Sequence, residues 1–380
     1  MQMLNESEFK PGLEGVIAAE TKLSRVNGQL GELIIGGYPL EIIAQNATFE
    51  EMVYLLWNGE RPTGAELNDF QQNLASKREL PQPTLDLLKQ IAKNKTPGMD
   101  ALRMAAGTVD LDQPNLPMRQ AAELALARMP TIVAAYHRLV SSEHPIQPDA
   151  SLSHAANYLY MLMGDRPTEA QTKGMETYLN TVVDHGLNAS TFTARVIIAT
   201  QSDMVSAVVG AIGALKGPLH GGAPGPALDM VFEIGEAEKA EAYLRQKIGR
   251  GERLMGFGHR VYKVRDPRAD VLGAAAEKMF LAMADESPEG YELYQLALAV
   301  EEKAIALLEE YKPGRKLQTN VEFYTALLLH GLGLPTDIFA PTFAISRTAG
   351  WLAHCFEQLE TGRLIRPKAR FVGEIYSTWE

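Results

Sequence analysis

The chain has 380 residues, 46% of them hydrophobic, one cysteine and a formal net charge of −11. A single cysteine excludes an intrachain disulfide framework and fits a reducing compartment. An acidic chain lacks the basic surface that a phosphate backbone requires, so nucleic acid is not an expected partner.

The opening segment MQMLNESEFKPG is polar and has no apolar core, so no secretory leader is expected. The apolar stretch from Phe192 to Leu215 is interrupted by Arg195 and Asp203, too early for a bilayer span. A cytoplasmic location is the expectation. The length favours two domains, and helix signals dominate. Gly31–Tyr38 is the best strand candidate, a short hairpin arm. Thr48-Phe-Glu-Glu51 and Thr63-Gly-Ala-Glu66 match the capping box that opens a helix. A polar cluster, Asp184-His185-Gly186-Leu187-Asn188-Ala-Ser-Thr, precedes the apolar Phe192–Ile198 run.

In Gly217–Pro226, GPLHGGAPGP, seven of ten residues are Gly or Pro. No helix crosses such a segment, and His220 at its centre stands where backbone amides can meet a ligand. Between Arg245 and Arg268 eight Lys or Arg stand against only Glu252 and Asp266. That basic island in an acidic chain suits a small anionic ligand held locally, although on charge alone a solvated basic face is the better reading. Inside it lies Gly256-Phe-Gly-His259, followed by Asp266-Pro267-Arg268. Leu296, Val300, Ala304, Leu307 and Tyr311 form one apolar helical stripe, with Glu301, Glu302, Glu309 and Glu310 off it. Asn320-Val321-Glu322-Phe323-Tyr324 opens another apolar helix; alone, Glu322 reads as a first-turn acid. A second basic cluster, Arg363, Arg366, Lys368 and Arg370, lies near the C-terminus.

Taken together, GPLHGG, GFGHRVYKVRDPR, NVEFY, SRTAGWLAHCFEQ and RLIRPKAR resemble the citrate synthase family in order and separation. GLEGVIAAETKLS and the region through Leu56-Trp57-Asn58-Gly59 extend the resemblance to nearly the whole chain, and the short length is similar to the compact archaeal and bacterial type. The resemblance implies an all-α, two-domain fold. Residues 1–221 and 333–380 would form a large helical domain with the dimer interface. Residues 222–332 would form a small domain that closes over the active site.

The implied reaction joins acetyl-CoA to oxaloacetate and hydrolyses citryl-CoA to citrate and CoA. Such chemistry needs a carboxylate to remove a weakly acidic methyl proton, a donor for the enolate oxygen, and an acid for the ketone oxygen. The resemblance assigns these roles to Glu322, His220 and His259. It places oxaloacetate against His185, Arg268, Arg347 and Arg366, since guanidinium groups pair with carboxylates through two parallel hydrogen bonds. Arg366 would reach the partner's site in a homodimer. Lys263, flanked by Arg260 and Arg265, would contact CoA. The resemblance implies no metal, since hydrogen bonds and burial stabilise the enolate, and no resident cofactor, since acetyl-CoA is a substrate. His137, His144, His154 and His330 match no motif and read as structural, and His354 and Cys355 as packing residues.

Three departures stand out: Glu322 where the family has Asp, Pro224-Gly225 where Asn follows the glycine motif, and Gly186 where Glu follows the histidine. The nearest alternative is 2-methylcitrate synthase acting on propionyl-CoA, since one methylene changes binding by only about 1–3 kcal/mol. More distant alternatives are a non-catalytic CoA-binding regulator and a metallohydrolase built on the histidines. No short metal-ligand spacing supports the second.

Overall fold

The computed structural model describes residues 9–220, 225–259, 261–285, 287–376 and 378–379. The expected 221/222 domain boundary, Pro224 and the expected CoA contact Arg260 lie outside the described residues. Sixteen α-helices occur among the described residues, with one small antiparallel sheet.

The local signals act where the sequence places them. Thr48 caps Phe49–Asn58: its hydroxyl accepts from the Glu51 amide, and Glu51 Oε2 accepts the Thr48 amide at 2.7 Å. Thr63 and Glu66 repeat the arrangement for Gly64–Ala75, as do Thr168 and Gln171 for Glu169–Val182. Each box satisfies amides that a helix start would otherwise leave bare. The strand candidate resolves into Glu32–Ile35 and Tyr38–Pro39, and a third strand, Ser24–Asn27, pairs Val26 with Leu33. Sequence reading misses this strand because SRVN offers one apolar residue and no alternation; its pairing comes from the partner strand.

Two helices run through the interior. Met118–Val140 buries every residue from Ala121 to Tyr136, and Phe339–Thr361 is buried over most of its length. The second passes so close to the end of Glu169–Val182 that a Cβ on Gly350 would collide with the Val183 carbonyl. That approach carries Arg347 to the loop that bears His185.

Helices Gly225–Ile234, Ala240–Gly249, Pro267–Ala282, Pro288–Tyr311 and Val321–Gly331 pack on one another. They meet the remaining helices chiefly where Pro267–Ala282 lies against Glu169–Val182 and Leu40–Asn46. The predicted stripe of Pro288–Tyr311 buries Val300, Ala304 and Leu307, while Tyr311 is exposed. Glu301, off that stripe, is nevertheless buried: it accepts hydrogen bonds from Thr319 Oγ1 (2.5 Å), Tyr324 Oη (2.5 Å) and Arg265 Nη1 (2.9 Å). No helix among the described residues is long and apolar enough to cross a membrane.

Candidate active site

His259 and Glu322 are far apart in sequence, and a backbone zipper joins their neighbourhoods. The Gly258 amide donates to the Gln318 carbonyl (2.7 Å), the Asn320 amide to the Gly256 carbonyl (2.9 Å), and Asn320 Nδ2 to the Gly258 carbonyl (2.8 Å). Gly256 and Gly258 sit at φ 86° and 81°, and a Cβ on Gly256 would press Phe323 at 3.0 Å, so the turn presenting His259 is glycine's to make. Asn320 also caps Val321–Gly331 by accepting from the Glu322 amide (2.9 Å). One asparagine thus fixes both segments.

The His259 ring has a defined proton. Its Nδ1 accepts from the amides of Val261 (3.1 Å) and Tyr262 (3.0 Å), and an amide can only donate. The neutral ring therefore carries hydrogen on Nε2. Burial, then the Arg268 charge, push its pKa down to about 4, so it is neutral at physiological pH. Arg268 Nη2 lies 3.2 Å from that Nε2. With the proton on Nε2 both atoms are donors, so the contact brings two N–H groups together, and a ligand oxygen that accepted from them would relieve it.

Arg268 is held by Asp266, which opens Pro267–Ala282. Asp266 Oδ1 accepts from the Arg268 amide and Nε, each at 3.0 Å, and Oδ2 from Nη2 at 2.9 Å. The same Oδ2 accepts the Val321 amide at 3.2 Å, tying the Arg268 helix to the Glu322 helix. Both partners are buried, and breaking such a pair costs about 3–5 kcal/mol. In sequence Asp266 reads only as part of Asp-Pro-Arg; the signal for its capping role is Asp followed by Pro at a helix start.

His220 takes the opposite tautomer. Asn188 caps Ala189–Ile198 by accepting the Thr191 amide (3.1 Å), which turns the Ser190 amide onto His220 Nε2 at 2.9 Å. Nε2 accepts, so the neutral ring holds its proton on Nδ1. Ser190 Oγ, also 2.8 Å from Nε2, accepts from the buried Trp351 indole at 3.0 Å. Burial, then Arg347, lower the His220 pKa. Sequence reading misses Ser190 because its contribution is a backbone amide.

His185 and Arg347 lie behind these groups and do not line the cavity they share; the His185 ring centroid is 6.2 Å from that of His259. His185 Nε2 lies 3.0 Å from the Tyr262 hydroxyl, and burial followed by Arg268 and Arg347 hold its pKa well below the usual range. Arg347 donates Nε to the Val182 carbonyl (2.8 Å) and stacks over Phe343 with its guanidinium carbon 4.6 Å from the ring centre. It is 2% exposed, so it is no surface charge; burial pushes it down to about 10, still protonated near neutrality. Asp184 beside it takes the Ser24 hydroxyl and approaches His354 Nε2 at 3.3 Å, while His354 Nδ1 meets Arg195 Nη1 at 3.0 Å. His354 is thus part of a buried polar network rather than an apolar filler. Cys355 is buried in packing.

His220, His259, Arg268 and Glu322 line one cavity of about 490 Å³. Met99, Leu215, Met255 and Phe343 supply its apolar wall. Burial raises the Glu322 carboxyl above its ordinary value of 4.5; Arg268 opposes this and Asp266 adds to it. Lys263 borders an adjoining cavity of about 160 Å³ with Arg315 and Lys316. Arg265 is spent on carboxylates: it pairs with Asp270 and with Glu301 at 2.9 Å. Arg366 lies on the exposed C-terminal segment and, among the described residues, makes no hydrogen bond or ion pair to the other site residues. Among the described residues, no group of three or more His, Cys, Asp or Glu is arranged to hold a metal ion.

The sequence model of the citrate synthase C-terminal domain matches residues 12–368. A citrate synthase of Haloferax volcanii is 42% identical over 377 residues, covering 97% of this chain and 96% of the relative. A 2-methylcitrate synthase of Mycobacterium tuberculosis is 37% identical, covering 96% and 91%. The ternary complex of carboxymethyl coenzyme A and oxaloacetate with Thermoplasma acidophilum citrate synthase superposes with a TM-score of 0.86 at 31% identity, over 98% of each chain.

Proposed function

The chain belongs to the citrate synthase family and condenses acetyl-CoA with oxaloacetate to give citrate and CoA, and we propose that Glu322, His220 and His259 carry that chemistry. The observation that supports the assignment best is the pair of opposed tautomers: His220 offers Nδ1–H and His259 offers Nε2–H. Each ring is a neutral donor turned by backbone amides.

The Glu322 carboxylate removes a proton from the acetyl methyl, and charge moves to the thioester oxygen. His220 Nδ1–H donates to that oxygen without being a strong acid. The nucleophilic carbon adds to the ketone of oxaloacetate, and His259 Nε2–H protonates the oxygen that becomes the citrate hydroxyl. Arg268 and Arg347 bind the dicarboxylate, with His185 beside them. Water then cleaves the thioester of citryl-CoA. The reaction draws on no resident metal or cofactor.

Residues 222–332 act as the small domain and the remainder as the large one; the way Gly225–Ile234, Ala240–Gly249, Pro267–Ala282, Pro288–Tyr311 and Val321–Gly331 pack on one another supports this division. The enzyme works as a homodimer in the cytoplasm, each Arg366 completing the partner's site. The exposed tail supports this, since it carries Phe371, Val372, Ile375 and Tyr376 in water. Lys263 meets the CoA phosphates, for which Arg315 and Lys316 beside it make the adjoining cavity cationic.

The higher identity to a citrate synthase (42%) than to a 2-methylcitrate synthase (37%) supports the two-carbon acyl group. Steady-state CoA release is expected to give the higher kcat/KM with acetyl-CoA, and a strong propionyl-CoA preference would reverse the order. The pH profile offers a second check. The working form needs Glu322 ionised and His259 neutral; as pH falls, Glu322 protonates above pH 4.5 before His259, at about 4, becomes charged. The acid limb of kcat/KM therefore lies above pH 4.5, and a kcat/KM unchanged down to pH 4 would contradict the base assignment.

A further inference from the structure

Tyr262 is 3% exposed and touches three groups of the site at once. Its hydroxyl lies 3.0 Å from His185 Nε2. Its ring centroid is 4.9 Å from that of His259 at an interplanar angle of 36°, and 5.7 Å from the Arg268 guanidinium carbon. Its backbone amide is one of the two that fix the His259 tautomer. The segment is anchored in turn by the N-terminal hairpin, since the Lys263 amide donates to the Gly28 carbonyl at 2.8 Å. A Cβ on Gly28 would collide with the Val261 carbonyl, so the hairpin turn and the catalytic loop are fitted to each other.

We propose that Tyr262 is a positioning residue that presents His185, through its hydroxyl, and His259, through its ring, to the dicarboxylate. A phenol can donate or accept, so it holds His185 in either neutral tautomer. No other side chain among the described residues hydrogen-bonds His185 Nε2. Without the hydroxyl that nitrogen is left unpaired in a buried site, and the imidazole loses the contact that sets its rotation. The ring acts separately, because it packs against His259 whether or not the hydroxyl is present.

This inference rests on the proposed reaction, and two variants divide it. Tyr262→Phe keeps the ring and is expected to raise KM for oxaloacetate roughly tenfold. In that variant KM for acetyl-CoA stays within twofold, and kcat at saturation falls less than it does in Tyr262→Leu. Tyr262→Leu removes the ring as well and lowers kcat further, through His259. Calorimetric titration of oxaloacetate into the free Tyr262→Phe protein reads the same loss without turnover. If Tyr262→Phe matches the wild type in oxaloacetate KM and affinity, the inference is overturned while the reaction stands. If the wild type itself releases no CoA with oxaloacetate, the functional reading fails first.

Discussion

Glu322→Gln is expected to lower kcat for CoA release by about 10³-fold, within the 10²–10⁴ that a positioned base contributes. The change is isosteric and removes only the capacity to take a proton. It should leave the fold intact, because the Glu322 contact that caps Val321–Gly331 is made by its backbone amide to Asn320 Oδ1. KM for oxaloacetate should move little, since that ligand is held by the arginines. The residual rate should also lose the acid limb, because no carboxyl remains to titrate. Glu322→Gln at full activity would remove Glu322 from the mechanism. Glu322 is one methylene longer than aspartate, and a misplacement of about 1 Å at a reacting centre can cost roughly 100-fold. The Asp266 contact to the Val321 amide fixes where that helix begins, and so where the longer side chain reaches.

His220→Ala is expected to reduce kcat by about 10²–10³, the loss typical of one donor to a developing oxyanion. The effect should fall on kcat more than on KM for acetyl-CoA, because the hydrogen bond strengthens as charge moves to the thioester oxygen. His220→Gln, whose amide can also donate, should recover part of the rate. A His220→Ala enzyme with unchanged kcat would mean that another group stabilises the enolate. Ser190 gives this prediction its structural basis: its amide donates to Nε2 at 2.9 Å, shorter than the 3.2 Å from Nε2 to Asn188 Oδ1, which favours the proton on Nδ1.

The glycine-bounded histidines, the Asp-Pro-Arg turn and the Asn-Val-Glu helix start were all visible in the sequence, because each is local. The capping boxes at Thr48 and Thr63 were visible for the same reason. What escaped was made by contacts between distant segments. Strand Ser24–Asn27 exists because Glu32–Ile35 pairs with it. Glu301 is buried because Thr319, Tyr324 and Arg265 converge on its carboxylate, which helical periodicity cannot anticipate. Arg265, read as a flank of the CoA contact, is paired with Asp270 and Glu301 for the same reason. The tautomers of His220 and His259 depend on backbone amides, which carry no mark in an amino-acid string. Sequence therefore located the reacting side chains, while the structure defined their protonation and aim.

The most direct test of the central claim is product analysis with acetyl-CoA and oxaloacetate, in the presence of EDTA, for wild type and Glu322→Gln side by side. The wild type should form one citrate and release one CoA for each oxaloacetate consumed, unaffected by the chelator, and Glu322→Gln should form almost none. CoA release without citrate, or citrate formed equally by both proteins, would contradict the account.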